Sequence, residues 1–73
     1  MKTLLDLPQG AIARIIALDG GQGLIQKLSL MGLCEGKIIR VISASPGPIV
    51  VEVEKNTIAI GRGMASRIMV MRI

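Results

Sequence analysis

Between Leu28 and Gly36 the chain reads Leu-Ser-Leu-Met-Gly-Leu-Cys-Glu-Gly, and no other stretch restricts the fold as much. It joins a helix end to a strand start with almost nothing between. With Gly32 just past the helix, Leu28 is the third helical position from that end and Leu33 the second residue beyond it. A Schellman ending brings those two side chains into contact. It also lets Gly32 take the left-handed conformation that residues with a Cβ resist. Gly36 supplies a second turn, and Lys37 to Ile42 has strand composition. The joint predicts a short amphipathic helix that feeds directly into a small β structure.

The rest of the chain fits around it. Leu4, Leu5 and Leu7 lead to a turn signal at Pro8-Gln9-Gly10. Ala11 to Leu18 reads as the first strand, apolar on both faces and so expected to be covered on both sides. Asp19-Gly20-Gly21 breaks it. Gln22 to Met31 has Leu24, Ile25, Leu28 and Met31 at helical spacing, with Gly23 weakening the start. The second strand is Lys37 to Ser43. Ser45-Pro46-Gly47-Pro48 is a loop tip, with Pro46-Gly47 suited to the centre of a type II turn. Ile49 to Glu54 alternates cleanly, a tight hairpin is expected at Lys55-Asn56, and Thr57 to Ile60 returns. Gly61-Arg62-Gly63 bends the chain, Met64-Ala65-Ser66 forms one helical turn, and Arg67 to Arg72 is the last strand. The fold class is mainly β. The expected architecture is a five-stranded SH3-like barrel with one short helix between strands 1 and 2 and a helical turn before the last strand. Residues 1–73 form a single domain, with structural turns at Gly32, Gly36, Gly47 and Gly61.

A 73-residue domain buries only about 60% of the surface its unfolded chain exposes. Cys34 is the only cysteine, so no intrachain disulfide adds stability. Aliphatic packing must suffice, and 51% of residues are hydrophobic with no Phe, Trp or Tyr among them. That fraction exceeds what so thin a shell hides easily, which predicts an exposed apolar patch and a partner or oligomer contact. The longest run free of charge, Val41 to Val51, is interrupted by Pro46, Gly47 and Pro48 and is too short to span a membrane. Met1 to Asp6 meets an acid too early for a secretory signal, so a cytoplasmic location is expected. The net charge of +4 is spread along the chain without forming a basic tract.

Catalysis has little to work with. Histidine is absent, which removes the usual general acid-base and the commonest metal ligand. Asp6, Asp19, Glu35, Glu52 and Glu54 do not cluster in sequence. Cys34 has no histidine to activate it, and just after a helix end it lacks the helix N-terminal field. Gly20, Gly21 and Gly23 match no phosphate-loop pattern. The expectation is a protein that is not an enzyme, with no catalytic residue, no cofactor and no metal held by one monomer. A site shared across a dimer through Cys34 or Glu35 is left open.

Lys27-Leu28, Met31-Gly32-Leu33, Gly36, Gly47-Pro48-Ile49, Ile58 to Arg62, Ala65 and Ile68-Met69-Val70 together resemble the FeoA family. Leu4, Leu7, Gly10 and Ile15 extend the resemblance over nearly the whole chain. One departure is that Gly63 and Met64 stand where many members carry a charged or acidic residue just before the alanine that matches Ala65. The domain is also similar to one appended to iron- and manganese-dependent repressors, but no DNA-binding helices precede it, which sets the expectation against a whole repressor. The resemblance implies a cytosolic accessory protein of ferrous iron uptake. Its implied partner is the cytosolic, GTP-binding portion of a membrane ferrous iron permease.

Candidate partner-binding residues lie on the helix and its exit: Leu24, Ile25, Lys27, Leu30, Met31 and Leu33. Leu30 falls off the main apolar stripe and is the one expected to be exposed. The alternative function is a small basic barrel that binds nucleic acid. Without an aromatic side chain it has no platform for stacking bases, so no nucleic acid is expected. The same lack rules out an aromatic groove for proline-rich peptides. Whether the protein forms a homo-oligomer is left open.

Overall fold

The computed structural model describes residues 2–44 and 46–73. Six strands form one antiparallel sheet: β1 (Lys2–Thr3), β2 (Ile12–Leu18), β3 (Ile38–Ser43), β4 (Ile49–Val53), β5 (Asn56–Ile60) and β6 (Ile68–Arg72). Their order across the sheet is β1-β6-β2-β3-β4-β5. Helix α1 (Gln22–Leu30) lies between β2 and β3, and the single turn α2 (Arg62–Ala65) precedes β6. The strong bend of so small a sheet wraps one face around an aliphatic core.

The joint after α1 forms the expected Schellman ending. The Leu33 amide donates to the Leu28 carbonyl at 2.8 Å and the Gly32 amide to that of Ser29 at 2.9 Å. Gly32 has φ +88°. Leu28 and Leu33 are both buried in the core, a contribution of roughly 1.5–3 kcal/mol each. The second turn ties the joint to the sheet. The Gly36 amide donates to the Ile15 carbonyl at 2.7 Å, and the Ile15 amide to that of Lys37 at 2.9 Å. Helix exit and central strand are thus locked together by backbone hydrogen bonds.

Several expectations need correction. The sheet has six strands rather than five, because Lys2 and Thr3 pair with Val70 and Met69 of β6. Directly after them, Leu4–Asp6 forms a 3₁₀ turn closed by a capping box. The Thr3 amide donates to Asp6 Oδ2 at 2.8 Å and the Leu5 amide to Thr3 Oγ1 at 3.2 Å. This turn drives Leu4 and Leu7 into the core. The β4–β5 hairpin turns at Glu54-Lys55, one residue earlier than expected, since Val53 pairs with Asn56. Both turn residues have positive φ, +49° and +71°, as a type I′ turn demands. Strand β2 is covered on one face only: Ala11, Ala13 and Ile15 are buried while Ile12 and Arg14 are exposed. A single sheet has one core, and nothing among the described residues layers over its other side. Gly61 begins α2 with φ −61°, a conformation open to any residue. Gly47 has the positive φ of +83° expected of it, while Ser45 of the same loop lies outside the described residues.

Replacing Gly32 by Val should lower stability in urea unfolding by more than about 1 kcal/mol, because a β-branched residue resists its φ. Its Cβ would meet nothing closer than Val53 at 3.9 Å, so the cost is conformational. Lys55→Gly should act oppositely, raising stability by about 0.5–1 kcal/mol through relief of a left-handed lysine.

Candidate functional site

Among the described residues no buried side chain is polar or charged. No three of His, Cys, Asp and Glu come together there. Half-buried Cys34 has its Sγ 3.3 Å from the hydroxyl of Ser29, beside the helix end. What this surface presents is exposed aliphatic side chains with charges around them.

The helix candidates separate. Leu33 is 1% exposed and belongs to the core, so it leaves the candidate surface. The Schellman ending that places it two residues past the helix is what buries it. Leu24 and Met31 are partly buried and pack on the core. Ile25 is 37% exposed and Leu30 84%. At 3.6 residues per turn, five positions put these two side chains roughly 140° apart around the helix. Leu30 instead shares its side of α1 with Gln26 and Lys27, one turn earlier. Lys27 also lies in the last turn, where its charge complements the helix dipole. The helix thus offers one isolated leucine rimmed by polar groups, with Ile25 on a different flank.

A larger apolar surface lies on the outer face of the sheet. Ile12, Ile38, Met71 and Ile73 are all exposed large hydrophobics. The ladders gather them. Arg14 pairs with Ile38 on β3 and with Met71 on β6. Ile12 pairs with Arg40, and the Ile73 amide donates to the Ile12 carbonyl at 2.9 Å. Across an antiparallel ladder directly paired residues share a face. On β2 and β3 aliphatic side chains and arginines therefore alternate like squares of a checkerboard, and β6 adds Met71 and Ile73 beside them.

Two ion pairs border this face. Arg40 donates to Glu52 at 2.8 Å and Lys37 to Glu54 at 2.8 Å. The hydrogen bond that Lys37 donates to Glu54, and after it the glutamate's charge, holds the pKa of the Lys37 amine above its ordinary value. Both pairs face solvent, where water and salt screen them. Arg62, at the start of α2, reaches back to accepting carbonyls of Ala44 at 3.2 Å and Gly47 at 3.4 Å. This contact steadies the β3–β4 loop from across the fold.

No described helix is long and apolar enough to cross a membrane.

Comparison with known proteins gives a consistent family. The family model described as the FeoA domain matches residues 2–72. A protein of Methanocaldococcus jannaschii named for Fe(2+) transport, transport protein A, is 42% identical over 53 residues. That stretch is 73% of this chain and 65% of the relative, so the chain matches somewhat less than two thirds of the relative's length. A crystal structure of an iron uptake regulatory protein, FeoA, superposes with a TM-score of 0.94 at 36% identity, covering 99% of this chain and 97% of that one. The zinc-complexed FeoA of Stenotrophomonas maltophilia, described as a procaryotic SH3 domain protein, has the same fold at 22% identity. Its TM-score is 0.84, over 97% of this chain and 91% of that one.

The division between core and surface is open to a direct comparison. Leu33→Ala should cost about 2–5 kcal/mol in chemical denaturation. Leu30→Ala should stay within about 0.5 kcal/mol of the parent. Equal effects would contradict the assignment of one to the core and the other to solvent.

Proposed function

Because the chain belongs to the FeoA family, whose domain spans its residues 2–72, we propose that it is a cytoplasmic accessory protein of ferrous iron uptake that binds the cytosolic, GTP-binding portion of a membrane ferrous iron permease. Its family ties it to ferrous iron transport. Its own residues support a role by contact, with iron as the context of its action and not its cargo.

The observation that carries the reading is Leu30. A leucine 84% exposed on the outer side of a helix contributes nothing to the core, while its helix is held rigidly by the Schellman ending and the Gly36 turn. Lys27 beside it supplies a charge that orients an approach, and Ile25, on a different flank of the helix, offers a separate apolar contact. Leu24 and Met31 lie beneath as the layer joining that surface to the core. Burial of one aliphatic side chain in a partner's pocket is the kind of anchor that dominates small interfaces.

The test is capture of the purified GTP-binding portion of a ferrous iron permease from the same source by the immobilised protein. The parent should retain it. Leu30→Glu should reduce retention about tenfold or more, with an unchanged unfolding midpoint. Absence of retention by the parent, or salt-dependent binding of a generic oligonucleotide in its place, would contradict the proposal.

A further inference from the structure

The outer face of β2, β3 and β6 carries an arrangement that the helix contact does not use. Arg14 stands at its middle, between Ile38 on β3 and Met71 on β6, its direct partners in the two ladders. These flanking side chains are 46% and 57% exposed. Each lines a different shallow depression: Ile38 lies in one with Ile12, and Met71 in one with Ile16 and Val70. Arg14 differs in its charge pairing from the cations on its β3 side. Arg40 and Lys37 have Glu52 and Glu54 as ion-pair partners. Arg14 has no carboxylate within 4.0 Å among the described residues. It is an arginine between two hollows that join aliphatic to charged side chains, with Arg40, Glu52, Glu54 and Lys55 beside Ile38 and with Lys2 and Arg72 beside Met71, and arginine is enriched among the residues that dominate interfaces.

We propose that this face docks an amphipathic helical segment of a partner protein, with a carboxylate on Arg14 and an aliphatic side chain in the hollow on either side. The proposal rests on the protein-contact reading above and gives the chemistry of a second contact.

The spacing selects a helix. Ile38 and Met71 lie two strands apart, about 10 Å across the sheet. In an α-helix, positions i and i+7 are separated by about 10.5 Å along the axis and share a face, with i+3 and i+4 between them. An extended segment fits less well, since same-face residues i and i+2 are about 7 Å apart and i and i+4 about 13.5 Å. A carboxylate at i+3 or i+4 meets the guanidinium midway between the two apolar anchors. Such a pair can be bidentate and charge-assisted.

The charge of the whole chain also favours an acidic partner. With a net charge of +4, a second copy brings repulsion and no unpaired carboxylate on the corresponding face. An anionic membrane would attract Arg14 but repel Glu52 and Glu54, which border the same surface. A protein segment can place one carboxylate at Arg14 and an uncharged aliphatic side chain beside Glu52 and Glu54, which Arg40 and Lys37 already pair.

The test uses isoleucine, leucine and methionine methyl signals in NMR, with the whole protein and a defined probe. The probe is a helical peptide on an alanine and glutamine background with leucine at i and i+7 and glutamate at i+3 and i+4. Its control has lysine in place of the glutamates. The glutamate peptide should produce saturable shifts at Ile12, Ile38, Met71 and Ile73, and the lysine peptide should not. Arg14→Glu should weaken binding of the glutamate peptide about tenfold or more and confer binding of the lysine peptide. Arg14→Gln should weaken the first without producing the second. Retained dispersion of amide signals establishes that each variant is folded.

Several results would overturn the proposal. They are equal shifts with both peptides, shifts confined to Leu24, Ile25 and Leu30, or no saturable shift up to the solubility limit of the peptide. Shifts of the same methyls with protein concentration alone would assign the face to a second copy. Shifts with vesicles of phosphatidylglycerol but not with the peptide would assign it to a membrane. No permease enters the experiment, so failure here leaves the permease reading standing, and failure of permease capture leaves this one standing.

Discussion

The hydrogen bond from the Leu33 amide to the Leu28 carbonyl is the contact on which the arrangement depends. It closes α1, forces Gly32 into a left-handed conformation, and turns two leucines inward at the point where helix becomes strand. From there the Gly36 amide reaches the carbonyl of Ile15. The exit of the helix is thereby fixed to the centre of the sheet. A chain that lacks aromatic rings and disulfides has few other ways to hold a short helix in place. Loss of this joint would leave α1 tethered mainly by partly buried Leu24 and Met31.

The second constraint is the period of the strand. Side chains alternate between faces, and this chain has one core to fill. β2 and β3 are aliphatic at nearly every position, so one set of large side chains must remain outside. Ala11, Ala13 and Ile15 go in and Ile12 stays out; Ile39 and Val41 go in while Ile38 and Ile42 stay out. The exposed face is a geometric consequence of a doubly apolar sequence on a singly covered sheet. Arginines placed between the isoleucines keep that face soluble and give it a sign of charge.

This also explains what the sequence revealed and what it did not. The helix ending was legible because its signature is local: a glycine, with leucines on each side at the right spacing. Exposure of Leu30 followed from helical period alone. The two-residue strand Lys2–Thr3 was not legible, since it exists only by pairing with β6. Its sign was the short Thr3 to Asp6 capping box, which is easily passed over ahead of a proline turn. The hairpin was misplaced by one residue because asparagine tolerates positive φ better than most residues that carry a Cβ; the register of Val53 with Asn56 prevailed and left a glutamate and a lysine in that conformation. The sheet face went unrecognised because a strand apolar at both parities does not say which parity is buried. That choice is made by what packs on it, and with it went the position of Arg14 between Ile38 and Met71.

The proposed role rests on the surfaces that this small aliphatic sheet and its helix present. The most direct measurement is a hydrogen-exchange footprint of the protein, alone and with the GTP-binding portion of a ferrous iron permease. The account expects slowed exchange in α1 around Leu30 and in the β2 and β6 segments around Arg14 and Met71, with β4 and β5 unchanged. Protection confined to β4 and β5, or an identical pattern with and without the permease portion at saturating concentration, would contradict it.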